Sequence, residues 1–309
     1  MKTLVTCLLL ICISPLAFSQ GCSDAGFCTM GAMRPDQNFS RETKFKLRSL
    51  GIQYYRGQTT LSPVIDAITL DFNFTVKQKY GIQVKLPYQY VEGTFGSNHG
   101  FGDISLSVTR DLISKPNWDL KGSIGFKIPT GNSRDQGENG LTLPMYYQTT
   151  LGSFDVVAGV SYLSKNWLFA VGYQQALTSN DNDFTYGEWV RFANKDYLHQ
   201  YHVGVGLRRG TDIMFRAERN FRFSNYSFNL GLLPIYRITE DQGIIRTGEG
   251  DRVPRTTGLA LSALAGVTYH LNVSNTFKLL YGYKITDRET NPDGLTRDWV
   301  FNATYEVRF

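Results

Sequence analysis

The sequence predicts an all-β fold, a transmembrane antiparallel β-barrel of about 12 to 14 strands. First, 14% of the residues are aromatic and thirty are glycine, a composition typical of strands and tight turns. Second, segment after segment alternates apolar with polar residues, which is the side-chain period of a strand. Third, no apolar run beyond the N-terminus approaches the roughly 18 residues that a membrane helix needs.

The C-terminal stretch DWVFNATYEVRF shows the alternation most clearly. One face of this predicted strand carries Trp299, Phe301, Ala303, Tyr305, Val307 and Phe309. The other face is polar except for Val300. An alternating aromatic strand that ends on phenylalanine resembles the closing strand of bacterial outer-membrane barrels. The resemblance implies that Trp299, Tyr305 and Phe309 belong to a barrel-closure signal.

The same pattern predicts thirteen strands, while bacterial single-chain barrels use even numbers. The predicted strands are 44–55, 65–78, 82–90, 103–112, 118–128, 154–163, 167–177, 197–208, 212–222, 226–238, 258–270, 275–286 and 296–309. Either 141–151 is a fourteenth strand, or two neighbours such as 212–222 and 226–238 are miscounted. Tyr54, Tyr55, Tyr88, Tyr90, Trp167 and Trp299 are expected in the aromatic girdles at the membrane interfaces. The predicted outer loops are 130–152, 178–196, 239–257 and 287–295, and the first is expected to fold inward.

The N-terminus has the features of a secretory signal peptide over residues 1–19. Lys2 precedes a short apolar stretch, and Ala17 and Ser19 are the small residues of a cleavage site. An alternative is a lipoprotein signal with Cys22 acylated. The predicted organisation is therefore a signal peptide over 1–19, a periplasmic or lumenal segment over 20–43 and a barrel over 44–309.

Residues 20–43 contain the two cysteines that remain after cleavage, Cys22 and Cys28. In an exported chain their spacing suits a small disulfide-closed loop. Two alternatives stay open: a Cu(I) site that adds the soft ligands Met30 and Met33, and free thiols. We expect no resident cofactor or metal elsewhere.

Charge and motifs argue against several function classes. The net charge of +5 forms no basic run, so nucleic acid is not an expected partner. His199 and His202 stand three apart on a predicted strand, where an odd spacing places them on opposite faces. Neither a G-x-S-x-G elbow nor an H-E-x-x-H helix is present. We therefore expect no enzyme.

The polar faces of the predicted strands carry charges that would point into the lumen. Candidates for the path of a solute are Lys85, Asp103, Lys121, Lys127, Glu306 and Arg308. Mixed charges also brace the wall of any polar lumen, so each candidate has a purely structural alternative.

Four segments resemble the outer-membrane channel family of the meta-pathway of phenol degradation. They are FGDISLSVTRDL (101–112), GSIGFKIPTGNSRD (122–135), GSFDVVAGVSYLSKNWLFAVGYQQAL (152–177) and LLPIYRI (232–238). The second segment ends its apolar strand on Pro129, Thr130 and Gly131, as that family does. The resemblance implies an uptake channel for small hydrophobic or aromatic molecules. The cysteine segment and the C-terminal hairpin depart from the family pattern.

The sequence thus predicts a channel in the outer membrane of a Gram-negative bacterium that passes small solutes down their gradient. Its expected partners are membrane lipid, the barrel assembly machinery and the solute. The alternative is a non-conducting barrel that acts as a scaffold and docks a periplasmic protein through residues 20–43.

Overall fold

The computed structural model of the chain describes residues 45–76, 79–243, 252–253 and 255–309. The predicted signal peptide (1–19) and the segment 20–43, with Cys22 and Cys28, lie outside the described residues. Their assignments stay predictions.

The described residues are predominantly β-structure. The strands are β1 (Phe45–Thr59), β2 (Val64–Val76), β3 (Tyr80–Gly93), β4 (Gly96–Phe101), β5 (Ile104–Lys115), β6 (Trp118–Ile128), β7 (Asp155–Ser164), β8 (Trp167–Ala176), β9 (Asp212–Arg222), β10 (Tyr226–Arg237), β11 (Asp241–Gln242), β12 (Arg252–Val253), β13 (Gly258–His270), β14 (Asn275–Thr286) and β15 (Arg297–Arg308). A 3-10 turn at Met145–Tyr147 and a one-turn α-helix at Lys195–Leu198 interrupt the connections. No helix in this part of the chain is long and apolar enough to cross a membrane.

The strands form one closed antiparallel barrel whose wall has twelve strand positions. Each strand pairs with its neighbour in the ring, and β1 closes the ring against β15. The strands β4 and β5 share one position, because β4 pairs with the second half of β3 and β5 with its first half. The short β11 and β12 pair with each other outside the ring. Closure leaves no open sheet edge, which is the condition for crossing lipid with strands. The predicted fold class is confirmed.

The strand miscounted by the sequence analysis is 197–208. This segment lies in the connection between β8 and β9, where it begins with the end of the one-turn helix. Its apolar side chains Leu198, Tyr201 and Leu207 are buried against other loops. Residues 141–151 are not a strand either, whereas 212–222 and 226–238 are two genuine strands. These residues are apolar because they pack against other loops, and their spacing in the sequence resembles that of a membrane strand.

Connection lengths define the two ends of the barrel. Short connections join β2 to β3, β5 to β6, β7 to β8, β9 to β10 and β13 to β14. The long connections 129–154, 177–211 and 287–296, together with the described residues of 238–257, are at the opposite end. Short turns normally face the periplasm, so the long loops mark the outer end. The N–H of Phe309 donates to the Arg48 carbonyl (2.8 Å) at the short-turn end.

The two faces of the wall differ as the alternation predicted. Large apolar side chains such as Ile68 and Leu230 (each 57% exposed) stand on the outer face, which suits contact with lipid. Charged side chains such as Lys127 and Glu218 are buried inside. One girdle assignment is wrong: Tyr55 points inward and packs against a loop cluster. Val300, the exception in the polar set, is fully buried on the inner face.

The apolar outer face gives a direct test of the membrane assignment. Leu230→Arg is expected to lower the free energy of unfolding by about 2–4 kcal/mol, because a charge midway along a lipid-facing strand is costly. The adjacent Asn229→Arg is the matched control, since Asn229 points inward and donates to Glu218 (2.9 Å). Urea unfolding in lipid vesicles measures both. Equal effects of the two variants would contradict the assignment of faces.

Candidate solute pathway

The upper chamber is a cavity inside the barrel beneath loop 129–154, and the empty space among its lining residues is about 1020 Å³ when the part open to solvent is included. Its wall comes mainly from β1, β2, β3, β14 and β15, and its roof from loops 129–154 and 287–296. The lining is mixed in chemistry. Apolar and aromatic members include Tyr55, Ile65, Met145, Leu280 and Leu295, and charged members are Lys85, Asp103, Asp293 and Arg297.

The lower chamber continues towards the periplasmic end, and its empty space measured in the same way is about 780 Å³. Its lining includes Asp71, Arg216, Asn229 and Lys278, and it is more polar in character. Four residues line both chambers: Gln53, Lys85, Leu280 and Asn302. The Gln53 amide donates to the Asn302 side-chain oxygen across the β1–β15 pair. These four residues form the boundary between the chambers.

An aromatic cluster, here called the mouth cluster, closes the outer end above the upper chamber. Its buried members are Ile65, Val91, Phe95, Leu143, Tyr146, Tyr147, Phe184, Trp189, Leu198 and Tyr201. Phe95 is at its centre, with ring centroids 4.7 Å from Phe192 and 4.8 Å from Trp189. Loops 129–154 and 177–211 therefore fold inward over the barrel instead of extending into solvent.

Three tyrosine hydroxyls in and beside the mouth cluster, those of Tyr147, Tyr197 and Tyr201, gather around the Ser62 hydroxyl. The Ser62 hydroxyl lies 3.2 Å from the Tyr147 hydroxyl and 3.3 Å from that of Tyr201, and Tyr197 donates to Ser62. Tyr147 also accepts from the Phe95 N–H (3.1 Å). Burial raises the pKa of both Tyr147 and Tyr201. These phenols stay protonated at neutral pH, so they are hydrogen-bonding groups and not charges.

A buried ion cluster fastens two further loops to the wall. Arg237 of β10 donates to Asp212 of β9 (2.8 Å), to Asp241 (2.9 Å) and to Asp293 (3.1 Å). Asp241 belongs to connection 238–257 and Asp293 to connection 287–296. Burial by itself would raise the pKa of Asp293, but Arg237, Arg288 and Arg209 outweigh it and hold that pKa well below its usual range. Charge pairing across loops replaces the solvation that these groups lose on burial.

The other two long loops are fastened to the lumen wall by the carboxylates of Asp103 and Asp155. Asp103 accepts from the Thr150 hydroxyl and the Leu151 N–H (3.3 Å) of loop 129–154. Asp155 accepts from Arg209 of loop 177–211. Lys127 lies between the two carboxylates, 3.8 Å from Asp103 and 3.9 Å from Asp155.

The predicted path residues are all described, and they are spread along the inner wall. Lys85 lines both chambers and Asp103 lines the upper one. Lys127 pairs with Asp103 but lines neither chamber. Lys121 pairs with Asp111 (2.9 Å), and Glu306 pairs with Lys278 (3.2 Å) and Arg308 (2.9 Å) towards the periplasmic end. The structure brings two pairs of these residues together, Asp103 with Lys127 and Glu306 with Arg308. A solute contact stays a prediction for each residue.

Sequence analysis missed several residues that shape the pathway. Arg237 and Asn302 occupy strand positions that alternation places on the inner face, so the sequence could have identified both as lumen residues. Leu280 faces inward although it is apolar, so the assumption that lumen-facing residues are polar does not identify it. No sequence pattern indicates that Asp241, Asp293 and Arg297 face the lumen. Loop contacts bring the two aspartates there, and a strand irregularity turns Arg297 inward.

The described residues contain no group of three or more His, Cys, Asp or Glu side chains placed to hold a metal ion. The pair His199 and His202 does not lie on a strand, contrary to the sequence analysis. His199 ends the one-turn helix and packs edge-on against Tyr186 (4.9 Å). Burial lowers the pKa of His202, which favours its neutral form at pH 7.

The sequence matches no protein-family model and no curated protein. Its fold, however, is similar to that of a solved outer-membrane channel. An outer membrane channel from Pseudomonas putida F1 superposes with a TM-score of 0.60 at 15% identity, covering 89% of this chain and 100% of that one.

Two other channel structures are more distant. The NanC porin gives a TM-score of 0.43 at 10% identity, covering 85% of this chain and 98% of its own. The CymD monoaromatic hydrocarbon channel gives 0.41 at 11% identity and 94% of both chains. At 15% identity the likeness to the Pseudomonas putida channel concerns the fold alone.

Proposed function

We propose that the protein is a passive channel in the outer membrane of a Gram-negative bacterium, for small solutes of hydrophobic or aromatic character. The main support for this proposal is that two chambers follow one another inside a closed barrel. The upper one combines apolar walls with a few charges, as ligand-binding cavities do. The sequence resemblance to the phenol meta-pathway channels supports the same solute class.

In the proposed mechanism the inward-folded loops control entry. A solute passes the mouth cluster when loops 129–154 and 177–211 move, and it then occupies the upper chamber. The boundary at Gln53, Lys85, Leu280 and Asn302 is the narrow step between chambers. The concentration gradient alone drives transport, so this proposal needs neither a catalytic residue nor an energy-coupling group.

Cysteine labelling tests whether the boundary lies on the path. With Cys22 and Cys28 replaced by serine, Leu280→Cys is expected to react with a charged methanethiosulfonate and to lose most of its single-channel conductance. Tyr281→Cys is the control, because the next side chain along β14 is on the outer face. Conductance that is unaffected by labelling at residue 280 would place the path elsewhere.

The same planar bilayer separates the channel from the scaffold alternative. Steady conductance of the mature chain supports the proposal. A silent chain that conducts after deletion of residues 20–43 makes that segment a plug. Silence of both, with solute uptake by vesicles also absent, contradicts the channel and favours a scaffold.

A further inference from the structure

We infer that the upper chamber binds a small amphipathic carboxylate, and that Arg297 is the residue that pairs with its carboxylate group. This inference rests on the proposed channel function and names the class of solute for the same chamber. Benzoate is the simplest probe of that class.

Arg297 is a buried cation without a counter-charge. Its side chain is 5% exposed and lines the upper chamber. Nη1 donates to the carbonyls of Gly294 (2.7 Å) and Thr296 (2.9 Å), while Nε has no hydrogen-bond partner within the described residues. No carboxylate of the described chain forms an ion pair with it. Burying a guanidinium in this way is costly unless an anion completes it.

Most other buried cations inside the barrel have counter-charges. Seven of them lie within 4.0 Å of a carboxylate: Lys121, Lys127, Arg209, Arg216, Arg237, Lys284 and Arg288. Arg297 is thus the guanidinium of the chamber that is left available to an external anion. A guanidinium presents paired donors to a carboxylate, so it suits this role better than an ammonium.

A strand irregularity turns Arg297 inward. The register between β1 and β15 shifts after Gln58, so that Thr59 faces Arg297 and residue 298 is skipped. Bulges at barrel rims re-aim side chains in this way. Without the shift, Arg297 would share the outer face with Trp299.

Tyr55 supplies a second donor beside the guanidinium. Its hydroxyl is buried against the Arg297 guanidinium and has no other hydrogen-bond partner in the described part of the chain. A Cβ added at Gly57 would collide with this hydroxyl and would stand 3.2 Å from Cδ of Arg297. Both side chains therefore pack over Gly57, which leaves a guanidinium and a phenol together at the chamber wall.

The rest of the chamber fits an apolar body attached to the carboxylate. Ile65, Leu280 and Leu295 line it. Its own acidic residues offer little repulsion, because Asp103 is paired with Lys127 and Asp293 with Arg237. A neutral hydrocarbon would leave Arg297 uncompensated, and a small inorganic anion would leave the apolar wall uncovered.

Equilibrium dialysis of radiolabelled benzoate against the refolded mature protein in detergent tests the inference without requiring conductance. Benzoate is expected to bind more tightly than benzamide, its neutral analogue. Arg297→Gln is expected to weaken benzoate binding about ten-fold or more, since a charged bidentate pair is lost. The charge-matched control is Arg255→Gln, which removes an exposed cation at the same end of the barrel and is expected to leave binding unchanged.

Three results would overturn the inference: equal binding of benzoate and benzamide, equal effects of the two glutamine variants, or competition by inorganic phosphate as effective as that by benzoate. If Arg297→Gln fails to show the heat-dependent gel shift of a folded barrel, Arg297→Lys decides. The Arg297→Lys variant keeps the positive charge. If this variant does not prefer benzoate to benzamide, the result counts against the site. A barrel that binds benzoate but neither conducts nor takes up solute would contradict the channel and not the site.

Discussion

Replacing Arg237 with methionine is expected to lower the free energy of unfolding by about 3–5 kcal/mol, because it removes one partner from a buried ion cluster. Asp212, Asp241 and Asp293 would remain buried without the guanidinium that binds all three. Since two of these carboxylates belong to long connections, the variant should also loosen the outer end and raise conductance. Urea unfolding in vesicles and planar-bilayer recording measure the two effects.

The stability loss in this variant should depend on pH. In the wild type the pKa of Asp293 is held below its usual range, so its contribution is complete above about pH 3.9 and is lost only as pH falls through the lower folded value. Without Arg237 the pKa of Asp293 should rise, because the largest of the charges that lower it is lost, and protonation on acidification then relieves the buried charge. The difference between wild type and variant should therefore be larger at pH 7.5 than at pH 4.5.

Arg255→Met is the matched control for Arg237→Met. Arg255 forms an ion pair with Glu289, but both side chains are mostly exposed to solvent. Such a pair contributes at most about 1 kcal/mol. If the two methionine variants were equally stable, or if the loss at Arg237 were independent of pH, the ion cluster would not fasten the loops.

Replacing Phe95 with alanine is expected to cost about 3–5 kcal/mol of stability, the usual range for truncating a buried phenylalanine. Phe95 contacts rings from both inward-folded loops, including Tyr147 (5.6 Å), Trp189 (4.8 Å) and Tyr201 (5.0 Å). The cavity left behind should admit water and release the mouth cluster. We expect red-shifted emission from Trp189, stronger quenching by acrylamide and higher conductance.

The control for Phe95→Ala is Phe101→Ala, in the same hairpin. Phe101 is 64% exposed and packs edge-on against Tyr88 (5.3 Å). Its truncation should leave the emission of Trp189 and the conductance unchanged. If Phe95→Ala shifts neither the emission nor the conductance, the mouth cluster is not the closure that controls entry.

Much of the barrel could be predicted because the pleat of a strand is a local property. In β15 the outer face of Phe301 and Tyr305 and the inner face of Asn302 and Glu306 follow from alternation alone. The long connections were predicted for the same reason, since alternation stops where they begin. Only 197–208, whose apolar residues pack against other loops, imitated a strand.

The sequence by itself determined the barrel, its two faces and the end that carries the long loops, because each depends on the order of residues along one strand. The tertiary structure alone decided how the outer end closes and which cation is left unpaired. Arg237 meets Asp212, Asp241 and Asp293 only after separate connections fold over the wall. Arg297 points inward only because β15 shifts register against β1. Both arrangements depend on contacts between distant residues, and no local pattern of side chains encodes such contacts.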